Sequence, residues 1–241
     1  MTLCLVIPHL MRNDAQPRAR ISFTQDLARV YEVRMKRIGL TGGIASGKSL
    51  IVAMLRREHI PVIDADELSR KVSAAGSAGL AAILAHFGQE YALPDGSLDR
   101  KKLAAHVFAD ESARLALEGI VHPLIQRAML EELHALENSG VGACVYSAPL
   151  IFEKNLESFF DAIILVYCDE KTQLERLSKR DGLTLEQAHL RIAAQMSLGE
   201  KRNKTPYQID NSGSREQAAQ MLSEVWHRLT GETHIFVGDA F

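Results

Sequence analysis

Short unbroken apolar stretches recur along this chain, separated by segments whose apolar residues return every three or four positions. Residues 37–41, 61–64, 141–146, 162–168 and 208–211 are of the first kind and predict short strands. The run Ile163, Ile164, Leu165 and Val166 has no polar alternation, as expected of a parallel strand covered on both faces. The second rhythm predicts helices. Residues 48–58 carry Ile51, Met54 and Leu55 on one side, and a closing helix carries Ala218, Met221, Leu222, Val225, Trp226 and Leu229. At that spacing Trp226 reads as core, and the tail after Thr230 is expected to fray. Strands alternating with helices predict an α/β fold on a parallel sheet.

Between residues 71 and 140 the strand signal disappears. Helical stretches there are broken at Phe87-Gly88, at residues 93–97 and near Pro123, with one helix over 99–108. Another follows Pro123, with Ile125, Met129, Leu133 and Leu136 on one stripe. A crossover between parallel strands needs only about a dozen residues, so this insertion is expected to be a helical lobe that helps to bind a second substrate. Residues 1–34 show no period. Leu3 to Ile7 is too short for a signal peptide, and Asp14, Asp26 and Glu32 argue against a transit sequence. Since Met35 directly precedes the first strand, this stretch reads as an extension or a mis-assigned start.

Composition narrows the picture. The 241 residues are 46% hydrophobic and carry 28 Lys and Arg against 30 Asp and Glu, a net charge of −2. No overall basic field points to nucleic acid, and no apolar stretch approaches the roughly 18 residues that would span a bilayer. Cys4, Cys144 and Cys168 make no C-x-x-C pair, which suits a reducing cytoplasm. The nine histidines form no zinc motif.

The chemistry concentrates in residues 42–49: Gly42, Gly43, Ile44, Ala45, Ser46, Gly47, Lys48 and Ser49. They fit G-x-x-x-x-G-K-[ST], and a strand before and a helix after supply the context that gives this pattern meaning. A glycine-rich loop running into a helix N-terminus aims backbone N–H groups and the helix dipole at one anion. Lys48 would reach the β- and γ-phosphates of a nucleoside triphosphate, and the Ser49 hydroxyl would bind Mg²⁺. Further on, Asp64 and Glu67 have the spacing of a capping box, a structural job. Asp66 is left free at the C-terminal end of a strand, where open α/β sheets place ligands. Asp169 reads as a helix cap rather than a metal ligand.

Residues 171–204 hold eight positive charges against four negative: Lys171, Arg176, Lys179, Arg180, Arg191, Lys201, Arg202 and Lys204 face Glu175, Asp181, Glu186 and Glu200. Phosphoryl transfer needs cations that close over the triphosphate. This segment is therefore expected to be a mobile lid, bending at Gly182.

Taken together, the loop from Thr41 to Ser49, Val62-Ile63-Asp64-Ala65-Asp66 with Arg70, Leu98-Asp99-Arg100, His122-Pro123-Leu124-Ile125, Pro149-Leu150-Ile151-Phe152-Glu153 and Ile209-Asp210-Asn211-Ser212-Gly213 resemble the dephospho-CoA kinase family. They stand in the family's order over about residues 37–229. The resemblance implies a P-loop kinase three-layer sandwich with a short parallel sheet. Its core would be residues 35–70, 141–170 and 205–230, with a helical insertion at about 71–140 and a lid at about 171–204. It implies transfer of the γ-phosphoryl of ATP to the ribose 3′-hydroxyl of dephospho-CoA, with Mg²⁺, in the cytoplasm. Asp66 matches the catalytic aspartate; Lys48 and the amides from Gly43 to Leu50 would hold phosphates; Arg176 or Arg180 would close from the lid; adenine would sit near Asn211 and Gly213. Leu50 replaces a common threonine, Ala45 is a mild change, and Thr205-Pro206-Tyr207 departs from the usual approach to the last strand. Another small-metabolite kinase on the same scaffold, of nucleoside or shikimate type, is the nearest rival. A guanine-nucleotide switch is disfavoured, because Asn203-Lys204-Thr205-Pro206 has proline where N-K-x-D needs aspartate.

Overall fold

The sheet forms around the glycine-containing strand that leads into the phosphate loop. In the computed structural model, which describes residues 34–238, this strand, β1 (Lys36–Gly42), lies at the centre of five parallel strands. β2 (Val62–Asp64), β3 (Ala143–Ser147), β4 (Ala162–Tyr167) and β5 (Tyr207–Asp210) complete the order β2-β3-β1-β4-β5. Leu40 pairs with Ser147 on one side and Ile164 on the other. The chain builds β2 and β3 to one side of β1 and β4 and β5 to the other, so a crevice opens at its carboxyl end. The expectations for residues 1–33, Cys4 among them, lie outside the described residues.

Period-two geometry sorts the strand side chains onto two faces. Ile38, Leu40, Val145, Ile164 and Val166 join one core with Trp226 and with Ile51 and Leu55 of α1 (Lys48–Arg57). Cys144, Tyr146 and Ile163 join the opposite core with Ile151 and Phe152. Gly39 points to the second face, where a Cβ would come within 3.1 Å of Ile151 and Phe160, so a larger residue there would make those side chains shift.

α2 (Ala65–Val72) leads from β2 into the insertion, which three helices occupy: α3 (Ala78–Phe87), α4 (Arg100–Ala109) and α5 (Glu111–Asn138). A third core of Leu80, Ile83, Tyr91, Leu98 and Leu103 forms among them. The expected break near Pro123 is not there, and α5 runs through it for 28 residues. Pro123 cannot donate to Gly119, but Gly119 is exposed and water can take its carbonyl. The helix is held on both sides of the proline. Leu117, Ile120 and Val121 pack on the third core, while Ile125, Met129, Leu133 and Leu136, the predicted stripe, pack on the second.

After β4 come α6 (Glu170–Asp181), α7 (Leu185–Ala193), α8 (Leu198–Arg202) and, after β5, α9 (Arg215–Thr230). Gly182, at φ 65°, caps α6 in the left-handed conformation, which costs glycine nothing. The expectation that the tail frays fails. Beyond Gly231 the chain folds back, and Phe236 is 4% exposed, its ring edge-on to Trp226 and its N–H donating to Ser223 Oγ. A single buried aromatic has no period, so this packing leaves no pattern in the sequence.

Candidate active site

The phosphate loop is shaped by close approaches that exclude side chains. A Cβ on Gly47, which sits at φ 94°, would lie 1.9 Å from Asn211 Nδ2; one on Gly42 would lie 2.5 Å from Ser46 Oγ. Gly47 is the N-cap of α1 yet supplies no capping side chain, and the first turn has no acidic residue. The N–H groups of Lys48 and Ser49 are therefore left open to an external anion, while that of Leu50 turns back to the Gly47 carbonyl at 3.0 Å. Ala45 adopts φ 59°, an uncommon conformation for a residue with a Cβ.

Lys48 reaches along the ends of β2 and β3. Its Nζ donates to Ser147 Oγ and lies 3.5 Å from Asp64 Oδ2, while Ser147 Oγ donates to that same oxygen at 2.8 Å. Asp64 Oδ1 meanwhile accepts the N–H groups of Asp66 and Glu67 at 2.9 and 3.3 Å. The purely structural role expected for Asp64 thus needs correction: one oxygen caps α2 and the other faces the loop lysine Lys48. No reciprocal capping box forms, because Glu67 turns to Arg56 at 2.6–2.8 Å. Neither Asp64 in this second role nor Ser147 was found from sequence. The available signal was a hydroxyl residue ending a fully buried strand, in register with Leu40 on one side and Asp64 on the other.

Burial pushes the Asp64 carboxyl up, but Lys48, the Ser147 hydroxyl and the two backbone N–H groups outweigh it and leave it below the ordinary 3.8. A depressed folded value means that the ionised group stabilises the fold above the unfolded value. That contribution is lost as pH falls through the folded one. Asp64→Asn is accordingly expected to flatten the acid limb of a stability profile measured from neutral pH to about pH 2. An unchanged limb would mean that the pairing does not stabilise the fold.

Asp66 stands on the first turn of α2, exposed, at the wall of a cavity of about 510 Å³. Ile125, Met129, Tyr146, Leu150 and Phe160 also line it, and Tyr146 stacks on Phe160 at 5.7 Å between centroids. The cavity lies between the sheet and the inserted helices.

The two lid arginines part company. Arg176, on α6, points at the loop: its Nη1 lies 3.7 Å from where a Gly47 Cβ would be, buried and without a hydrogen-bond partner. Arg180 is exposed and forked onto Asp181 at 2.7 and 3.1 Å, a carboxylate that Arg191 also reaches at 2.7 Å. Asp169 caps α6 through Thr172, as expected. Several expected lid cations are instead fixed in the body. Lys201 is fully buried, paired with Glu153 at 2.8 Å and donating to the Pro149 carbonyl at 3.1 Å. Arg202 stacks on Tyr167, and Lys204 pairs with Glu157 at 3.1 Å. Charge alone could not separate these from solvated cations.

Asn211 is 3% exposed, and its amide is spent on the Ser46 carbonyl at 2.9 Å. Its side chain thereby braces the phosphate loop. Gly213 lies against Gln217, which would come within 2.1 Å of a Cβ there. Ile44 is gripped from the opposite side, its N–H donating to Gln195 Oε1 at 2.9 Å and its carbonyl accepting from Gln173 Nε2 at 2.7 Å.

The family model described as dephospho-CoA kinase matches residues 36–217. A Shouchella clausii protein named dephospho-CoA kinase is 48% identical over 196 residues, covering 81% of this chain and 100% of the relative. A crystal structure from Thermus thermophilus aligns with a TM-score of 0.69 at 35% identity, over 82% of this chain and 100% of its own. The structure of dephospho-CoA kinase from Campylobacter jejuni aligns at 0.62 and 26% identity, over 81% and 97%. With a five-stranded parallel sheet around an open phosphate loop, and a match across most of its length, this chain belongs to the dephospho-CoA kinase family.

Proposed function

We propose that this protein phosphorylates the ribose 3′-hydroxyl of dephospho-CoA with ATP, giving coenzyme A and ADP, with Asp66 as base and the phosphate loop as anion cradle. Family membership carries the reaction. The residue roles are supported by one juxtaposition: the uncapped N-terminus of α1 follows β1, and Asp66, on the helix that follows β2 two strands away, lines the cavity of about 510 Å³. The Lys48 ammonium and the loop's remaining N–H groups, among them those of Lys48 and Ser49, would hold the β- and γ-phosphates, since the N–H groups of Ile44, Ser46 and Leu50 are turned to Gln195, Gly43 and Gly47. Arg176, whose buried Nη1 is unpartnered, is the better candidate than the Asp181-bound Arg180 to neutralise charge on the transferred group.

In the reaction the 3′-oxygen forms a bond to the γ-phosphorus, the bond from that phosphorus to the β,γ-bridging oxygen breaks, and ADP leaves. The hydroxyl proton passes to the Asp66 carboxylate. A loose transition state asks more of position than of base strength.

Magnesium suits the donors present. Ser49 offers an exposed hydroxyl on the first turn of α1, and among the described residues no cluster of three His, Cys, Asp or Glu side chains could cage a metal. Mg²⁺ commonly takes most of its ligands from water and phosphate, so one protein hydroxyl fits. When bound it would offset phosphate charge. Among the described residues no helix is long and apolar enough to cross a membrane, and a cytoplasmic site of action is consistent with that.

The test is purified protein with ATP, Mg²⁺ and dephospho-CoA, followed for coenzyme A. Turnover of a different hydroxyl compound with none of dephospho-CoA would overturn the reading. Lys48→Ala should impair nucleotide affinity and turnover together, since the lysine holds phosphate in both ground and transition states. A titration beside a rate assay checks both.

A further inference from the structure

The grip on Ile44 is unusual in its completeness. Both of that residue's backbone polar groups are taken by glutamine side chains, one from α6 and one from the turn after α7. Gln173 is 3% exposed, so its amide is committed. Gly43 allows the approach: a Cβ there would meet Gln173 Nε2 at 2.8 Å and Leu198 Cδ2 at 3.1 Å. The next residue is Ala45, at φ 59°.

These facts belong together. The φ angle of Ala45 sets the orientation of the peptide between Ile44 and Ala45, and the carbonyl of that peptide is the one Gln173 holds. Gln195 fixes the peptide before it. A left-handed residue with a Cβ is strained and persists where its surroundings over-determine it.

We infer that Gln173 and Gln195 are positioning residues for the phosphate loop: by holding both sides of Ile44 they keep Ala45 left-handed and the cradle formed for the triphosphate. The inference rests on the loop being an ATP site. It gives the lid segment a second task besides supplying Arg176, because the loop's shape then depends on elements of that segment seated against it.

The experiment uses the full chain and the non-hydrolysable analogue adenylyl imidodiphosphate, titrated without acceptor. Gln173→Met and Gln195→Met keep length and volume but remove the hydrogen bond. Each is expected to weaken analogue binding by about tenfold, the scale of one lost hydrogen bond, with dephospho-CoA affinity unchanged. Adding Ala45→Gly to Gln173→Met should recover most of the loss, since glycine adopts positive φ without a clamp. Unchanged analogue affinity in both variants would overturn the proposal. So would a parallel loss for both ligands with a lowered thermal midpoint, or no recovery with glycine. Because no acceptor enters the titration, a protein that binds the analogue yet makes no coenzyme A would overturn the functional reading and leave this one standing.

Discussion

Asp66→Asn is expected to lower turnover by about a hundredfold or more while ATP affinity changes little, the usual scale for a positioned base. Asparagine keeps the size and the backbone of the α2 first turn, whose N–H groups remain tied to Asp64. What it loses is the ability to take the proton from the ribose hydroxyl. Steady-state turnover beside a nucleotide titration separates the two effects. Wild-type turnover in the variant would remove Asp66 from the role of base, and a joint loss of nucleotide affinity would assign it to the phosphate site instead. Asp64→Asn makes a useful contrast, because Asp64 faces Lys48 and Ser147, and its loss should reach nucleotide binding.

The largest effect on stability is expected at Lys201. Its side chain is fully buried, and its partner Glu153 keeps one oxygen buried without a hydrogen bond even with the lysine present. Lys201→Met would strand that carboxylate, and breaking one side of a buried pair costs about 3–5 kcal/mol. For a chain of this length that corresponds to a fall of about 10 °C in thermal midpoint. Adding Glu153→Gln removes the charge while keeping an acceptor for the Met196 N–H, which Glu153 Oε1 now holds. The double variant should therefore recover more than half of the loss. If Lys201→Met alone left the midpoint unchanged, the pair would not be holding α8 to the Pro149–Glu153 turn. A surface pair offers the comparison: Arg56 and Glu67 are both largely exposed, and removing either should cost under about 1 kcal/mol.

The phosphate loop was legible because its demands are local. Gly42 and Gly47 are required by contacts that only a missing side chain permits, and Lys48 and Ser49 follow at fixed offsets. The caps Asp64 and Asp169 were legible for the same reason, each acting within three residues. Ser147 was not, because its role depends on Lys48 arriving from the start of α1 and Asp64 from the end of β2. Lys201 reads in sequence as one cation among eight. Only burial against Glu153, 48 positions earlier, turns it from a solvated charge into a pin.

By itself, then, the sequence determined what short-range chemistry can specify: strand and helix periods, a glycine-rich loop of the G-x-x-x-x-G-K-[ST] spacing, helix caps, and motifs spaced as in the dephospho-CoA kinase family. The tertiary structure decided which polar groups face one another. It carried α5 through Pro123, folded the tail onto Trp226, set Asn211 to bracing the loop, and brought Gln173 and Gln195 onto Ile44. The reason is physical. Backbone preference and amphipathic spacing act over a few residues, whereas the worth of a buried amide or charge depends on partners that only packing supplies.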